Sequence, residues 1–239
     1  MIERHLMKLR ARDEVTPEEE QAIRSIVREL RHVRADTRLI RAGEVLSEST
    51  MLLDGIACRY KDLRNGERQI TELHVAGDFL DLHSFTLKRL DHDVLALTRC
   101  TIAVVAHDDL RRITDDHPHL TRLYWFGTNL DAAIHREWEL SLGRRTAAAR
   151  IAHLLCELYV RLGLVGLTDG FSYRLGLTQT DLAECLGLTS VHVNRMLKEL
   201  REGGLVAIRD GMVDIEDWEG LQKRAEFTPD YLYLERRPR

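Results

Sequence analysis

The stretch from Leu177 to Val206, LTQTDLAECLGLTSVHVNRMLKELREGGLV, leaves this chain few ways to fold. Thr178 can cap a helix whose third residue is the acidic Asp181. Leu182 and Leu186 then face inward, and Gly187 permits a sharp exit. Thr189 or Ser190 caps a second helix that carries Val193, Met196, Leu197 and Leu200 along one side. Ala183 is small where two crossing helices must approach closely, and Val193 plugs the core between them. This spacing predicts a helix-turn-helix.

The outer face of the second helix keeps Ser190, Val191, His192, Asn194, Arg195 and Lys198. In a DNA-reading hairpin this face enters the major groove, where arginine can pair with guanine O6 and N7 together. Asn194 suits adenine or a phosphate, and Lys198 is placed for backbone contact. The hydroxyls and free N–H groups near Thr178, Gln179 and Thr189 are candidate phosphate ligands. Leu205 to Ile208 and Met212 to Ile215 flank Asp210-Gly211, a hairpin signal that adds a wing. The net charge of −4 does not argue against DNA, because the field at the docking face decides binding. From Arg144 to Met212 nine Arg or Lys stand against seven Asp or Glu.

Upstream the texture differs. Thr16-Pro17-Glu18-Glu19 marks a helix start, and the periodicity of Ile23, Ile26, Val27 and Leu30 predicts that this helix continues to about Leu30. Between Val33 and Val105 short apolar runs alternate with turns, and Gly43, Gly55, Gly66 and Gly77 recur every 11 or 12 residues. Such evenly spaced strands predict a β-roll, with Asn65-Gly66 as a type I′ turn. A short helix is expected from Asp108, and a long one from Pro118 to Leu142, about 37 Å in length. Its stripe of Leu120, Leu123, Gly127, Leu130, Ile134 and Trp138 is near-heptad and predicts a seam with a second copy of the chain. A further helix from Thr146 to Leu162 leads to the hairpin. The fold class is thus α+β, with an N-terminal unit over 1–117, a dimerisation helix over 118–142 and a winged helix-turn-helix over 143–239.

No apolar run approaches the roughly 18 residues of a membrane span, and the first turns are charged throughout, so a cytoplasmic protein without membrane contact is expected. Cys58, Cys100, Cys156 and Cys185 lack metal-ligand spacing and read as small buried hydrophobes; no metal and no cofactor are expected. A catalytic role is not expected either. Glu72 and His74 supply only part of a cupin-type metal set, and no nucleophile elbow, phosphate loop or dinucleotide fingerprint occurs.

With these residues in view, the chain resembles the CRP/FNR superfamily of bacterial transcription regulators from about Val33 to Ile215. The resemblance is carried by the glycine-punctuated roll, AGDFLDL from Ala76 to Leu82, the long helix, GRRTAAARIAHLLCEL, and the hairpin itself. It implies a cyclic-nucleotide-binding-like β-roll fused to a winged helix, a homodimer on inverted-repeat double-stranded DNA, and RNA polymerase as a partner. It also implies that Ser190, Val191, Asn194 and Arg195 hold the base-reading positions. Many members have Glu where this chain has Val191, so a different half-site is expected. Nucleotide-binding members carry Gly-Glu and then Arg-Ser or Arg-Thr where this chain has Asp81-Leu82 and Asp91-His92-Asp93. Carboxylates would face the phosphate there, and no cyclic-AMP response is expected. Asp81, His83, Asp91 and His92 remain the effector candidates, and the effector itself is unknown. No cysteine precedes Cys58, unlike the iron–sulfur members, whereas His74, His83 and His92 leave a haem or gas sensor as an alternative.

Overall fold

The structure, a computed structural model, describes residues 2–239. Helix α1 (Glu3–Arg10) was not anticipated, because its sequence is mostly charged. It forms by docking: Ile2, His5 and Leu6 are buried, and His5 Nδ1 donates to the Gly77 carbonyl at 2.9 Å. Helix α2 (Pro17–Ser25) starts as expected, with a reciprocal capping box between Thr16 and Glu19. It does not reach Leu30. The chain turns at Ile26 into strand β1 (Val27–Val33), where Val27 pairs with Val105 and Leu30 with Ala103. A long-range partner strand outweighs a local helical pattern that β-branched residues support only weakly.

Strands β2 (Thr37–Ile40), β3 (Glu48–Asp54), β4 (Ile56–Asp62) and β5 (Arg68–Val75) follow, then the one-turn helix α3 (Ser84–Leu87), β6 (Asp93–Ala96) and β7 (Cys100–Ala106). They form two antiparallel sheets, in the orders β1-β7-β3 and β2-β6-β4-β5. Their facing sides supply the apolar core of a β-roll, including Leu52, Ala57, Leu80, Val94 and Ile102. Gly55 is required between β3 and β4: its φ is +92° and a Cβ would lie 2.5 Å from the Arg99 carbonyl oxygen. The β4–β5 connection corrects the type I′ expectation. Leu63 to Glu67 form a five-residue loop in which Gly66 has positive φ and Asn65 does not. Backbone bonds from Leu63 N to the Glu67 carbonyl (2.7 Å) and from Gly66 N to the Leu63 carbonyl (3.0 Å) close the loop, and the Asn65 carboxamide oxygen accepts from Glu67 N at 3.0 Å.

Helices α4 (His107–Asp116) and α5 (Pro118–Arg144) leave the roll. The stripe expected to meet a partner is buried in the chain's own core. Leu120 and Leu123 pack with Ile2, Leu6 and Phe79, while Leu130, Ile134 and Trp138 pack with β4, β5 and the helix that follows. Gly127, partly buried, lines a small cavity beside α1. The α5 face left exposed is another one, bearing Trp125, Asn129, Ala132, Arg136 and Leu140.

Helix α6 (Ala147–Gly163) is capped by Thr146 and is buried along most of its length. After it come β8 (Thr168–Asp169), β9 (Ser172–Arg174), α7 (Gln179–Leu186), α8 (Ser190–Glu202), β10 (Val206–Arg209), β11 (Met212–Ile215), α9 (Trp218–Ala225) and a 3-10 turn over Pro229–Leu232. One core runs from Tyr60 and Leu73 of the roll through Trp138 and Leu155 to Val193 and Val213. An ion network crosses the same boundary. Arg161 of α6, 5% exposed, donates to Asp78 (3.0 Å) and to the Leu73 carbonyl (2.7 Å) on the roll, and to Glu157 (2.9 Å) on its own helix. Glu157 also accepts from Trp138 Nε1 at 3.0 Å and Tyr231 Oη at 2.9 Å, and Lys8 of α1 pairs with Asp78. Within the described residues, no helix is long and apolar enough to cross a membrane.

Candidate nucleic-acid interface

Helices α7 and α8 form the expected hairpin, and their caps show why. The Thr178 hydroxyl accepts from Asp181 N at 3.1 Å, and the Asp181 carboxylate accepts from Thr178 N at 2.7 Å. Gly187 ends α7 in the left-handed conformation, φ +60°. Of the two residues that could cap α8, Thr189 does so, its hydroxyl accepting from His192 N at 3.2 Å. Leu182, Ala183, Leu186, Val193 and Leu200 are buried, whereas Met196 and Leu197 only border the core. The wing follows from β10 and β11, joined by a type I′ turn in which Asp210 (φ +51°) and Gly211 (φ +75°) both adopt positive φ. That hairpin extends a sheet in the order β10-β11-β9-β8.

The outer face of α8 divides into two flanks. On one, Thr178, Gln179, Asn194, Arg195 and Lys198 line a single open hollow, and Arg201 joins them. Gln179 Nε2 donates to Asn194 Oδ1 at 2.6 Å, so these two carboxamides act as one polar unit. The nearby acids are already engaged, Glu202 with Lys198 at 3.6 Å and Glu199 with Arg224 at 2.5 Å. Arg195 is exposed and, among the described residues, has no carboxylate partner. On the other flank, Thr189, Ser190 and His192 face the β4–β5 loop of the roll across a second hollow that also takes in Gly66 and Gln69. Gln69 Nε2 donates to the Glu184 carbonyl at 2.7 Å and so holds α7 against the start of β5. Val191 stands on the crest between the flanks, 80% exposed. Sequence reasoning missed Arg201 and the approach of Gln69. Arg201 is one helical turn beyond Lys198 and was legible from spacing, whereas Gln69 lies over a hundred residues away in the chain.

The four effector candidates do not converge. Asp81 is fully buried and structural: its carboxylate accepts from Thr50 N at 2.6 Å and Ser84 Oγ at 2.9 Å, and burial raises its pKa to about 6. His83, Asp91 and His92 line an open cleft of about 430 Å³ between the roll and α5, together with Arg59, Lys61 and His135. The His83 and His92 rings lie 5.4 Å apart, and burial, aided by the Arg59 charge, lowers the His83 pKa to about 3. Both cations of the cleft are neutralised from within the chain. Arg59 pairs with Glu72 at 2.5 Å and Asp131 at 3.1 Å, and Lys61 with Asp91 at 2.6 Å. No group of three His, Cys, Asp or Glu among the described residues is arranged to hold a metal ion, and all four cysteines are free and buried.

Residues 30–117 match the family profile of the cyclic nucleotide-binding domain, and residues 149–224 that of the Crp-like helix-turn-helix domain. A probable transcriptional activator of Rhizobium leguminosarum is 30% identical over 182 residues, covering 75% of this chain and 74% of that protein. The transcriptional activator protein FnrL of Cereibacter sphaeroides is 28% identical over 195 residues, 80% and 77% of the two chains. Among solved structures, FixK2 from Bradyrhizobium japonicum superposes with a TM-score of 0.75 at 23% identity, over 82% of this chain and 96% of that one, and shares its fold. A β-roll, a long helix and a winged hairpin in this order, with these relatives, place the chain in the CRP/FNR family, as a DNA-binding transcription regulator.

Proposed function

We propose that the chain acts as a homodimer on an inverted-repeat operator, with Arg195 reading one guanine in each half-site. One observation carries this reading above the others. Arg195 stands exposed and unpaired on a helix whose opposite side is locked into the core by Val193 and Leu200. A guanidinium so held can donate to guanine O6 and N7 together. Val191 offers apolar contact only, such as to a thymine methyl, and the Gln179–Asn194 pair offers hydrogen bonds beside it. Thr178, Thr189, His192 and Lys198 take the phosphates on the two flanks, and Ser190, on the flank of Thr189 and His192 and away from Arg195, joins them in this reading rather than the base readers with which the resemblance grouped it. Selection of bound sequences from a random DNA pool by the full-length protein tests the whole reading. The expected outcome is an inverted repeat with a fixed guanine in each half; recovery of unenriched DNA would refute it.

Lys198→Ala is expected to weaken all DNA sequences alike and to make the salt dependence shallower by about one unit of slope. A changed sequence preference would assign Lys198 to a base instead.

The partner subunit lies, in this proposal, along the exposed α5 face of Trp125, Asn129, Ala132, Arg136 and Leu140. Trp125 is 65% exposed, so Trp125→Glu should leave the fold intact while weakening self-association at least about tenfold in sedimentation. A fully dimeric Trp125→Glu protein would place the seam elsewhere. A charge at Leu130, by contrast, would break the subunit's own core.

The proposal further includes a cytoplasmic protein that regulates rather than catalyses, needs no cofactor and contacts RNA polymerase. Cyclic AMP is not its signal in this proposal, because the two cations of the cleft, Arg59 and Lys61, already pair with Glu72, Asp131 and Asp91. Calorimetry should show no saturable binding of cyclic AMP; micromolar affinity would overturn this.

A further inference from the structure

A second cavity lies apart from the cleft, between α1, the Gly77–Leu82 segment and α5, with a volume of about 80 Å³. His5, Lys8 and Leu9 of α1 and Arg12, just beyond its end, line it from the N-terminal segment. Phe79, Leu123, Phe126 and Leu130 give it apolar walls. Three of its lining side chains hold polar atoms with no partner: His5 Nε2, the Tyr124 hydroxyl and Arg12 Nε. All three atoms are sealed from solvent in this arrangement, so it is the Arg12 charge rather than these atoms that bears on a guest.

Arg12 says what kind. It is 4% exposed, and among the described residues its acceptors are the Lys8 and Leu232 carbonyls, at 3.3 and 3.2 Å. Among the described residues no carboxylate pairs with it; Asp78 and Asp131, which line the same cavity, are taken by Lys8 and Arg161 and by Arg59. Burial first, then the Arg161 and Arg239 charges, lowers its pKa to about 10, which leaves it a cation at neutral pH. A buried cation without a counter-ion is costly unless something supplies one. At the other end His5 is neutral, its pKa lowered to about 4 by burial. With Nδ1 donating to Gly77, its Nε2 is left without a donor among the described residues, and the His5 and Tyr124 ring centroids lie 6.0 Å apart.

We propose that this cavity binds a small organic monocarboxylate, with its carboxylate on Arg12 and a short aliphatic or single aromatic body among Phe79, Leu123, Tyr124 and Leu130. The cavity has about half the volume of an engineered one that admits benzene, so only part of such a guest can sit within it. Arg12 also joins the site to the DNA-binding half: its carbonyl accepts from Arg237 N at 2.9 Å and its guanidinium donates to Leu232. An input role for the site rests on the regulator reading above, but binding itself does not, and it is measured without DNA.

The test is calorimetry on the full-length protein with benzoate, hexanoate and the neutral control benzamide at constant ionic strength. At least one acid should bind saturably at one site per chain, with benzamide at least about tenfold weaker. Arg12→Gln should lose about tenfold or more in affinity. Gly127→Leu is the second variant. Gly127 lines the cavity and a Cβ there meets nothing within 4 Å, so the side chain can fill the space while a helix-interior glycine is removed. It should melt no lower than the parent and bind neither acid. No saturable binding of either acid, equal binding of benzamide, or full affinity in either variant would each overturn the proposal.

Discussion

Arg161→Ala is expected to destabilise the protein by about 3–5 kcal/mol, the largest effect of any single change considered. The substitution leaves Glu157, which is fully buried, and Asp78, nearly so, without the guanidinium that both accept from. It also strips the Leu73 carbonyl of its 2.7 Å donor. A protein of this length loses about 2–4 °C of melting temperature per kcal/mol, so a fall of about 10 °C is the expected reading in a thermal melt. Because Arg161 joins α6 to the roll, the damage should also appear as faster amide exchange at Leu73–Val75 and along α6. Asp78→Asn together with Arg161→Met should cost less than the sum of the single changes, since the double variant leaves no lone charge at Asp78. A loss under about 1 kcal/mol for Arg161→Ala would mean that water enters the network and the halves are not held by it.

Arg195→Ala should leave the melting temperature within about 1 °C, because the side chain is exposed and unpaired, yet cost about 1–3 kcal/mol in operator binding. That is about a tenfold to hundredfold loss, and it should be confined to specific DNA. The position read by Arg195 should become indifferent to base identity in a panel of operators varied one base pair at a time. Its contrast with Lys198→Ala, which lowers all sequences together, separates base reading from phosphate contact by two measurements on one protein. Unchanged affinity and an unchanged preference in Arg195→Ala would sink the proposed recognition face.

The legible parts of the sequence are those whose signals are local. The caps at Thr178 and Thr189, the turn at Gly187 and the core positions Leu182, Ala183 and Val193 lie within one hairpin, and each is set by neighbours a few residues away. The wing was legible for the same reason, since Asp210-Gly211 states its own turn type. Where reading failed, the deciding partner was distant. Val27 to Leu30 continues a helical pattern, but β7, over 70 residues on, takes it as a strand. Asn65-Gly66 has the residues of a tight turn, yet β4 and β5 pair to Asp62–Arg68 and leave five residues between them.

Helix α5 shows the limit most plainly. It has apolar residues on two faces, Leu120 to Trp138 on one and Trp125, Ala132 and Leu140 on the other. Periodicity finds such stripes but cannot say which one meets the chain's own roll, since that depends on strands far away in the chain. The same holds for α1, a short charged helix that is marginal alone and exists because Ile2 and Leu6 have a roll to pack against.

The sequence by itself determined the two-part plan, the helical hairpin with its wing, and the identity of the exposed α8 residues, because caps, turns and short-range periodicity are encoded within a few residues. Only the tertiary structure decided which α5 face is free, that Ser190 and His192 sit on a different flank from Arg195, and that Arg12 is a buried cation without a counter-ion. Those facts depend on contacts between segments far apart in the chain, and burial, which sets the cost of every unpaired charge, is a property of the packed whole.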